Sequence, residues 1–222
     1  MAANAVTSGF SPFAMREMVD ALTTNHTSFL REQAHFDFLS KTIAPAFPPP
    51  ATLQIWSAAC SSGEEPYSIA CTLWNELKSA RFRILATDLS TRVLNRAKQA
   101  VYPEERLVDF PAAWRQAFLI GGSSEKGTFR FKPEIVNTIE FRRFNLMDPI
   151  THGRKFHLIL CRNVMMYFDR PTQQGVVNRL SGCLEPGGYL FVGHSETLTG
   201  IEHGLRHIRP AVYRKDGGKG KP

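Results

Sequence analysis

Between residues 53 and 192 the chain switches repeatedly from a short apolar run to a helix-period stretch and back. Residues 53–59 read as a strand, 64–79 as a helix with Pro66 in its first turn, 82–87 as a strand and 91–101 as a helix. A strand near 142–145, the run 156–161, a helix around 172–183 and a strand at 189–192 continue the series. Strands alternating with helices predict an α/β fold with a mostly parallel sheet covered on both faces. Residues 205–214 hold a turn at Arg209-Pro210 between two extended pieces, which fits a terminal antiparallel hairpin at the sheet edge.

Ahead of this series, Ser11 and Pro12 can open a helix over 11–21, with Phe13, Met15, Met18, Val19 and Leu22 as its apolar stripe. A second helix is predicted over 28–42, carrying Phe29, Phe36, Phe38 and Leu39. The prolines of 45–50 read as a stiff linker. One segment breaks the alternation. A Gly-rich loop at 121–127 leads into the alternating strand 128–132, which with 139–144 predicts a small antiparallel excursion at about 119–144. The organisation expected is an N-terminal helical segment (1–44), an α/β domain (51–215) and a flexible tail (216–222).

In an open α/β sheet, ligands sit beyond the carboxyl ends of the strands, and three strand exits carry chemistry. The run 156–161 ends in Cys161-Arg162-Asn163, and then presents Tyr167 and Asp169 before Pro171. The loop Cys60-Ser61-Ser62-Gly63-Glu64-Glu65-Pro66 lets backbone approach a ligand closely, but two carboxylates stand at its helix N-terminus. They would repel a pyrophosphate and suit an amine; the alternative is that they simply favour the helix dipole. Asp88 ends the second strand, about where nucleoside-binding α/β domains place an acid for ribose hydroxyls; capping of the next helix, by Asp88 or by Ser90, is the alternative. An acid at that tip with an amine-seeking first loop describes a nucleoside that carries an amino group and no phosphates, as S-adenosylmethionine does.

Composition narrows the class. No apolar run approaches the length of a membrane span and no secretory signal is visible. Cys60, Cys71, Cys161 and Cys183 form no CxxC pair and read as reduced thiols of a cytoplasmic protein; with histidines at no ligand spacing, no metal is expected. A net charge of +7 favours anionic partners.

In order along the chain, Thr24-Asn25-His26-Thr27-Ser28-Phe29-Leu30-Arg31-Glu32, Trp56-Ser57-Ala58-Ala59-Cys60-Ser61-Ser62-Gly63-Glu64-Glu65-Pro66-Tyr67-Ser68, Ala86-Thr87-Asp88, Cys161-Arg162-Asn163-Val164-Met165-Met166-Tyr167-Phe168-Asp169 and Gly193-His194-Ser195-Glu196 resemble the CheR-type chemotaxis receptor methyltransferases. The resemblance spans residues 22–213. It implies a class I, Rossmann-like methyltransferase sheet that binds S-adenosylmethionine, releases S-adenosylhomocysteine and methylates glutamate side chains of chemoreceptor cytoplasmic domains. By motif position it sets Asn25, Thr27 and Arg31 over the cofactor, Glu65 (or Glu64) at its amino group and Asp88 at its ribose. Asn145 and Leu146 would flank the adenine, and Cys161 and Arg162 would line the cofactor near the methyl. Arg31 and Tyr167 would act on the substrate carboxylate.

Two departures matter. Family members usually carry a larger helical domain ahead of the Thr-Asn motif, so a short member or a fragment is expected. Where some members grip a C-terminal receptor pentapeptide with an Arg before the Gly-rich turn, this chain has Ile120, although Arg130 remains; no such tether is expected. A monomer is favoured. A nucleic-acid methyltransferase is disfavoured by Cys161-Arg162-Asn163-Val164, which replaces the Asn/Asp-Pro-Pro-aromatic turn of that class. Arg31 and Tyr167 together argue against a non-catalytic, cofactor-sensing regulator, and no triad follows the elbow-like Gly193-His194-Ser195-Glu196-Thr197.

Overall fold

The computed structural model describes residues 27–121, 127–151 and 153–217. Seven strands form the main sheet: β1 (Leu53–Ser57), β2 (Phe82–Asp88), β6 (Ile139–Arg143), β7 (Phe156–Leu160), β8 (Leu184–Phe191), β9 (Leu205–Arg209) and β10 (Val212–Lys215). Their order is β6-β2-β1-β7-β8-β10-β9. β1 runs parallel to β2 and β7, and β6 and β8 extend the parallel part. β10 inserts antiparallel between β8 and β9, so the expected terminal hairpin contributes its second strand inward and its first as the edge. The order reverses at β1, opening a crevice between the carboxyl ends of β1 and β7.

Both faces of the central strands are buried, as a parallel sheet requires. On one face Ile55 and Leu158 pack with Tyr67, Ile69 and Leu73 of helix α2 (Glu64–Leu77). On the other, Trp56 and Ile159 pack with Val176, Val177 and Leu180 of helix α6 (Arg170–Cys183). Asp169 caps α6 by accepting from Thr172 N at 3.0 Å, with Pro171 in the first turn. Helix α3 (Thr91–Gln99) is capped by Ser90, whose Oγ accepts from Val93 N. Asp88 is thus not the cap.

Four expectations change. The helix predicted from residue 28 begins only at α1 (Gln33–Phe38) and passes through a π turn (Leu39–Ile43) into a 3₁₀ turn (Ala44–Ala46). Leu30 and Glu32 hold φ of 54° and 62°, which no right-handed helix admits, and Leu30 N donates instead to Ser68 Oγ at 2.9 Å. The excursion is a separate three-stranded sheet, β3-β5-β4, built from β3 (Val101–Pro103), β4 (Leu119–Gly121) and β5 (Thr128–Phe131). Residues 139–143 do not belong to it: they join the main sheet parallel to β2, because Ile139 and Phe141 pack against its apolar face. Helices α4 (Ala112–Phe118) and α5 (Pro133–Val136) frame the excursion and had no sequence expectation. Finally, the proline run divides no core: Phe29, Phe36, Leu39 and Ile43 share the cluster of Ile55 and Leu158. The expected helix over 11–21 lies outside the described residues, as does most of the tail.

Candidate active site

A cavity of about 380 Å³ opens where β1 and β7 end, the size of a small-molecule site. Its first wall is the loop after β1. Gly63 turns that loop into α2 with φ 98°, and a Cβ there would stand 2.7 Å from Tyr102 Oη. Only glycine fits, on conformation and on space alike. The turn aims the two acids oppositely. Glu65 faces the cavity: its Oε1 accepts from Ser57 Oγ at 2.6 Å and its Oε2 pairs with Arg162 Nη1 at 2.8 Å. Glu64 is buried behind the wall, accepting from Ser62 Oγ at 2.7 Å and from Arg106 Nη1 at 3.2 Å. Burial pushes its carboxyl up, against the opposing pull of Ser62 and Arg106. Of the two amine candidates, only Glu65 reaches the cavity.

Asp88 forms the second wall. Its Oδ2 accepts from Ser61 N at 2.8 Å and its Oδ1 from Ser90 N at 3.0 Å, which fixes the carboxylate at the strand tip. Beside it, Ser61 is part of the cavity wall, and its buried Oγ has no hydrogen-bond partner among the described residues. A ligand bearing hydroxyl groups would meet the Asp88 carboxylate. Phe144, Asn145, Leu146 and Met147 supply an adjoining and largely apolar patch suited to a flat base. Asn145 Oδ1 accepts from Met147 N at 3.0 Å, which shapes that turn.

The third wall leaves β7. Arg162 lines the cavity, whereas Cys161 does not: its side chain lies in the core with Ile159 and Val192. Cys161 was expected beside Arg162 along the cofactor; its side chain points into the core instead. The alternation of the strand sends position 161 to the opposite face from 162. Burial, with the Glu196 and Glu65 carboxylates nearby, pushes the Cys161 thiol well up, so it is no nucleophile. Asn163 takes φ 56° and its N–H donates to Glu196 Oε2 at 2.9 Å. Glu196 also accepts from Met165 N and Gly193 N, at 2.8 and 2.7 Å. The exit bend is therefore held by one carboxylate, and Tyr167, 60% exposed, stands at the mouth of the cavity.

The segment at 27–32 completes the site. Thr27 and Arg31 line the cavity. Thr27 O accepts from Arg106 Nη1 at 3.1 Å, and Arg31 O accepts a short hydrogen bond from Arg162 Nη2. Asn25 lies outside the described residues. Glu32 was missed from the sequence: Arg162 Nη2 stands 3.1 Å from its Oε2, and Asn163 Nδ2 and His194 N donate to its Oε1 at 3.3 and 3.2 Å. The Glu32-x-x-His35 spacing was the only local signal, since its other partners come from residues 162–194. Glu32, His35 and His194 bring possible metal-ligand atoms within 4.8 Å of one another, although no sequence spacing suggested it. The Arg162 guanidinium already serves as the cation of that carboxylate.

The residues present fit S-adenosylmethionine: a carboxylate for an ammonium, an acid for a ribose, and an apolar patch for a base. A family model described as "CheR methyltransferase, SAM binding domain" matches residues 25–213. The chain is 40% identical over 211 residues to a chemotaxis protein methyltransferase of Borreliella burgdorferi, covering 90% of this chain and 74% of that protein. It is 41% identical over 206 residues to chemotaxis protein methyltransferase 2 of Pseudomonas aeruginosa, covering 91% and 74%. To the chemotaxis protein methyltransferase of Escherichia coli it is 39% identical over 199 residues, covering 88% and 68%.

Proposed function

The chain belongs to the CheR methyltransferase family, and we propose that it transfers the methyl group of S-adenosylmethionine to glutamate side chains of chemoreceptor cytoplasmic domains. The observation that carries this is one cavity at the topological switch point. It combines an amine-seeking carboxylate (Glu65) and a ribose-seeking acid (Asp88) with a cation and a phenol, Arg31 and Tyr167, in its lining. When bound, S-adenosylmethionine supplies an electrophilic methyl that a carboxylate accepts without prior loss of a proton.

The protein's task is therefore positioning. A glutamate is ionised at neutral pH, so no general base is required; an incoming carboxylate must shed water and present one oxygen in line. Arg31 draws and orients it through charge-assisted hydrogen bonds. Tyr167 offers a neutral hydroxyl, which orients without quenching the nucleophile further. Thr27 and Arg162 hold the cofactor side, Asn145 and Leu146 flank its base, and Asn25 belongs to the same set.

The protein acts in the cytoplasm, as a monomer, on the cytoplasmic part of membrane receptors; no described helix is long and apolar enough to cross a membrane. Docking does not depend on a C-terminal receptor pentapeptide, because exposed Ile120 stands opposite Arg130 on the excursion where a second cation would be needed. The test is transfer of radiolabelled methyl to base-labile glutamyl esters on receptor membranes. Wild-type protein is expected to label them, while Arg31→Ala and Tyr167→Phe largely retain S-adenosylhomocysteine binding and lose at least about tenfold in transfer, the scale of one charge-assisted contact. Absence of base-labile label with wild-type protein would sink the proposal.

A further inference from the structure

Arg162 is a buried cation between two carboxylates. Its side chain is 3% exposed, with Nη1 2.8 Å from Glu65 and Nη2 3.1 Å from Glu32. The two acids are not equivalent. Glu65 and Arg162 face the cavity, whereas Glu32 stands behind them and is not part of its lining. A Glu65–Arg162 pair alone would be neutral, and a ligand ammonium arriving there would compete with a guanidinium for the one carboxylate. With Glu32 included, the cluster carries one negative charge in excess. Buried charges close together set each other's availability strongly.

We infer that Glu32 is a positioning residue for cofactor binding: it takes up the charge of Arg162 from behind and so leaves Glu65 available to the amino group of the cofactor. The inference rests on the reading of Glu65 as the amine acceptor.

Four further features support it. Glu32 holds φ 62° and ψ 62°, a left-handed conformation that costs a non-glycine residue free energy and persists where the surroundings enforce it. Its carboxylate is met by three donors from two segments, Arg162 and Asn163 beyond β7 and the His194 backbone beyond β8. Burial by itself would raise its pKa, but Arg162 and these hydrogen bonds outweigh burial and hold it below the usual range, so the counter-charge persists at neutral pH. On the other side, Ser57 Oγ fixes the second oxygen of Glu65 and leaves that carboxylate oriented for one more donor.

Glu32 could instead be only a mechanical latch, since Arg162 also binds Arg31 O. Ligand chemistry separates the two roles. S-adenosylhomocysteine carries the amino acid; 5′-methylthioadenosine keeps the nucleoside and thioether and lacks it. Calorimetric titration of both ligands into wild type, Glu32→Gln and Glu65→Gln is the experiment. Glu32→Gln is expected to weaken S-adenosylhomocysteine about tenfold, the scale of one charge-assisted contact, and to leave methylthioadenosine within about twofold. Equal weakening of both ligands makes Glu32 a latch and overturns the inference, as does unchanged S-adenosylhomocysteine affinity. If Glu65→Gln loses the preference for the amino-acid ligand and Glu32→Gln keeps it, the inference alone fails. If Glu65→Gln keeps it, the assignment of Glu65 fails too. Should Glu32→Gln not fold, Glu32→Asn carries the same comparison, because asparagine enters the left-handed region more readily.

Discussion

His35 is buried on the floor beneath the site, and it sets a pH dependence of stability that can be calculated. Its ring stacks on Phe191 at 4.8 Å between centroids, is 2% exposed, and neither ring nitrogen has a hydrogen-bond partner among the described residues. Burial, with the Arg162 charge nearby, lowers its pKa to about 3, although Glu32 pulls the other way. The folded protein therefore refuses a proton that the unfolded chain accepts near pH 6.5. With the folded pKa depressed, the contribution to stability is complete well above 6.5 and is lost progressively as pH falls toward the folded value. Between pH 7.5 and 5.0 the loss amounts to about 2 kcal/mol, and it changes little if the folded pKa is one unit higher, since both values lie at or below 4. His157 and His203 are also lowered by burial, so the total slope of the wild type is not diagnostic. The difference from His35→Phe, which keeps a flat ring against Phe191 and cannot titrate, isolates the one group. Urea denaturation at half-unit pH steps should show the stability of the wild type falling relative to the variant by that amount on acidification. A difference constant to within about 0.5 kcal/mol would refute the reasoning. A difference of opposite sign would mean that the Glu32 carboxylate, 3.4 Å from Nδ1, outweighs burial and keeps the imidazole charged.

Asp88→Ala should weaken S-adenosylhomocysteine and methylthioadenosine alike, about tenfold or more in calorimetric titration, because in the proposed reading its carboxylate meets the nucleoside part that both share. Glu196→Gln replaces an acceptor of three backbone N–H groups by an amide with one oxygen, and should cost about 2–4 kcal/mol in urea denaturation, with Asn163 and Met165 the first amides to lose hydrogen-exchange protection.

The sheet was legible because its signals are local. Every parallel strand except β6 holds a short apolar run, and caps such as Ser90 and Asp169 stand beside the helices they start. Topology then marked the strand tips, so that Asp88 and the pair Glu64 and Glu65 stood out as candidates, while their roles were assigned only by the family resemblance. What stayed hidden depends on the third dimension. Cys161 and Arg162 are neighbours in sequence and opposites in orientation, and residues 139–143 carry the apolar pattern that either sheet would accept. Their parallel pairing with β2 is settled by 50 residues of intervening chain folding elsewhere. Glu32 fell within the expected helix with no role assigned, because its partners come from beyond β7 and the turn after β8.

The misread helix at residue 28 is the same physics seen from the site. A regular helix there would satisfy its own backbone and leave Arg31 wherever the helical period put it. Instead the backbone groups of this segment are taken by tertiary partners: Thr27 O by Arg106 of the excursion, Leu30 N by Ser68 of α2, and Arg31 O by Arg162 beyond β7. Phe29 anchors the middle, buried edge-on against Tyr102 and Phe110. Left-handed Leu30 and Glu32 are the cost of that geometry, of order 1–2 kcal/mol for each residue. The return is that three separately folded elements fix the one stretch that carries Arg31 across the cavity, so its guanidinium is set by the core and not by the fraying end of a helix. Local propensity favoured the helix, and tertiary hydrogen bonding overruled it at the position where the proposed chemistry needs a fixed cation.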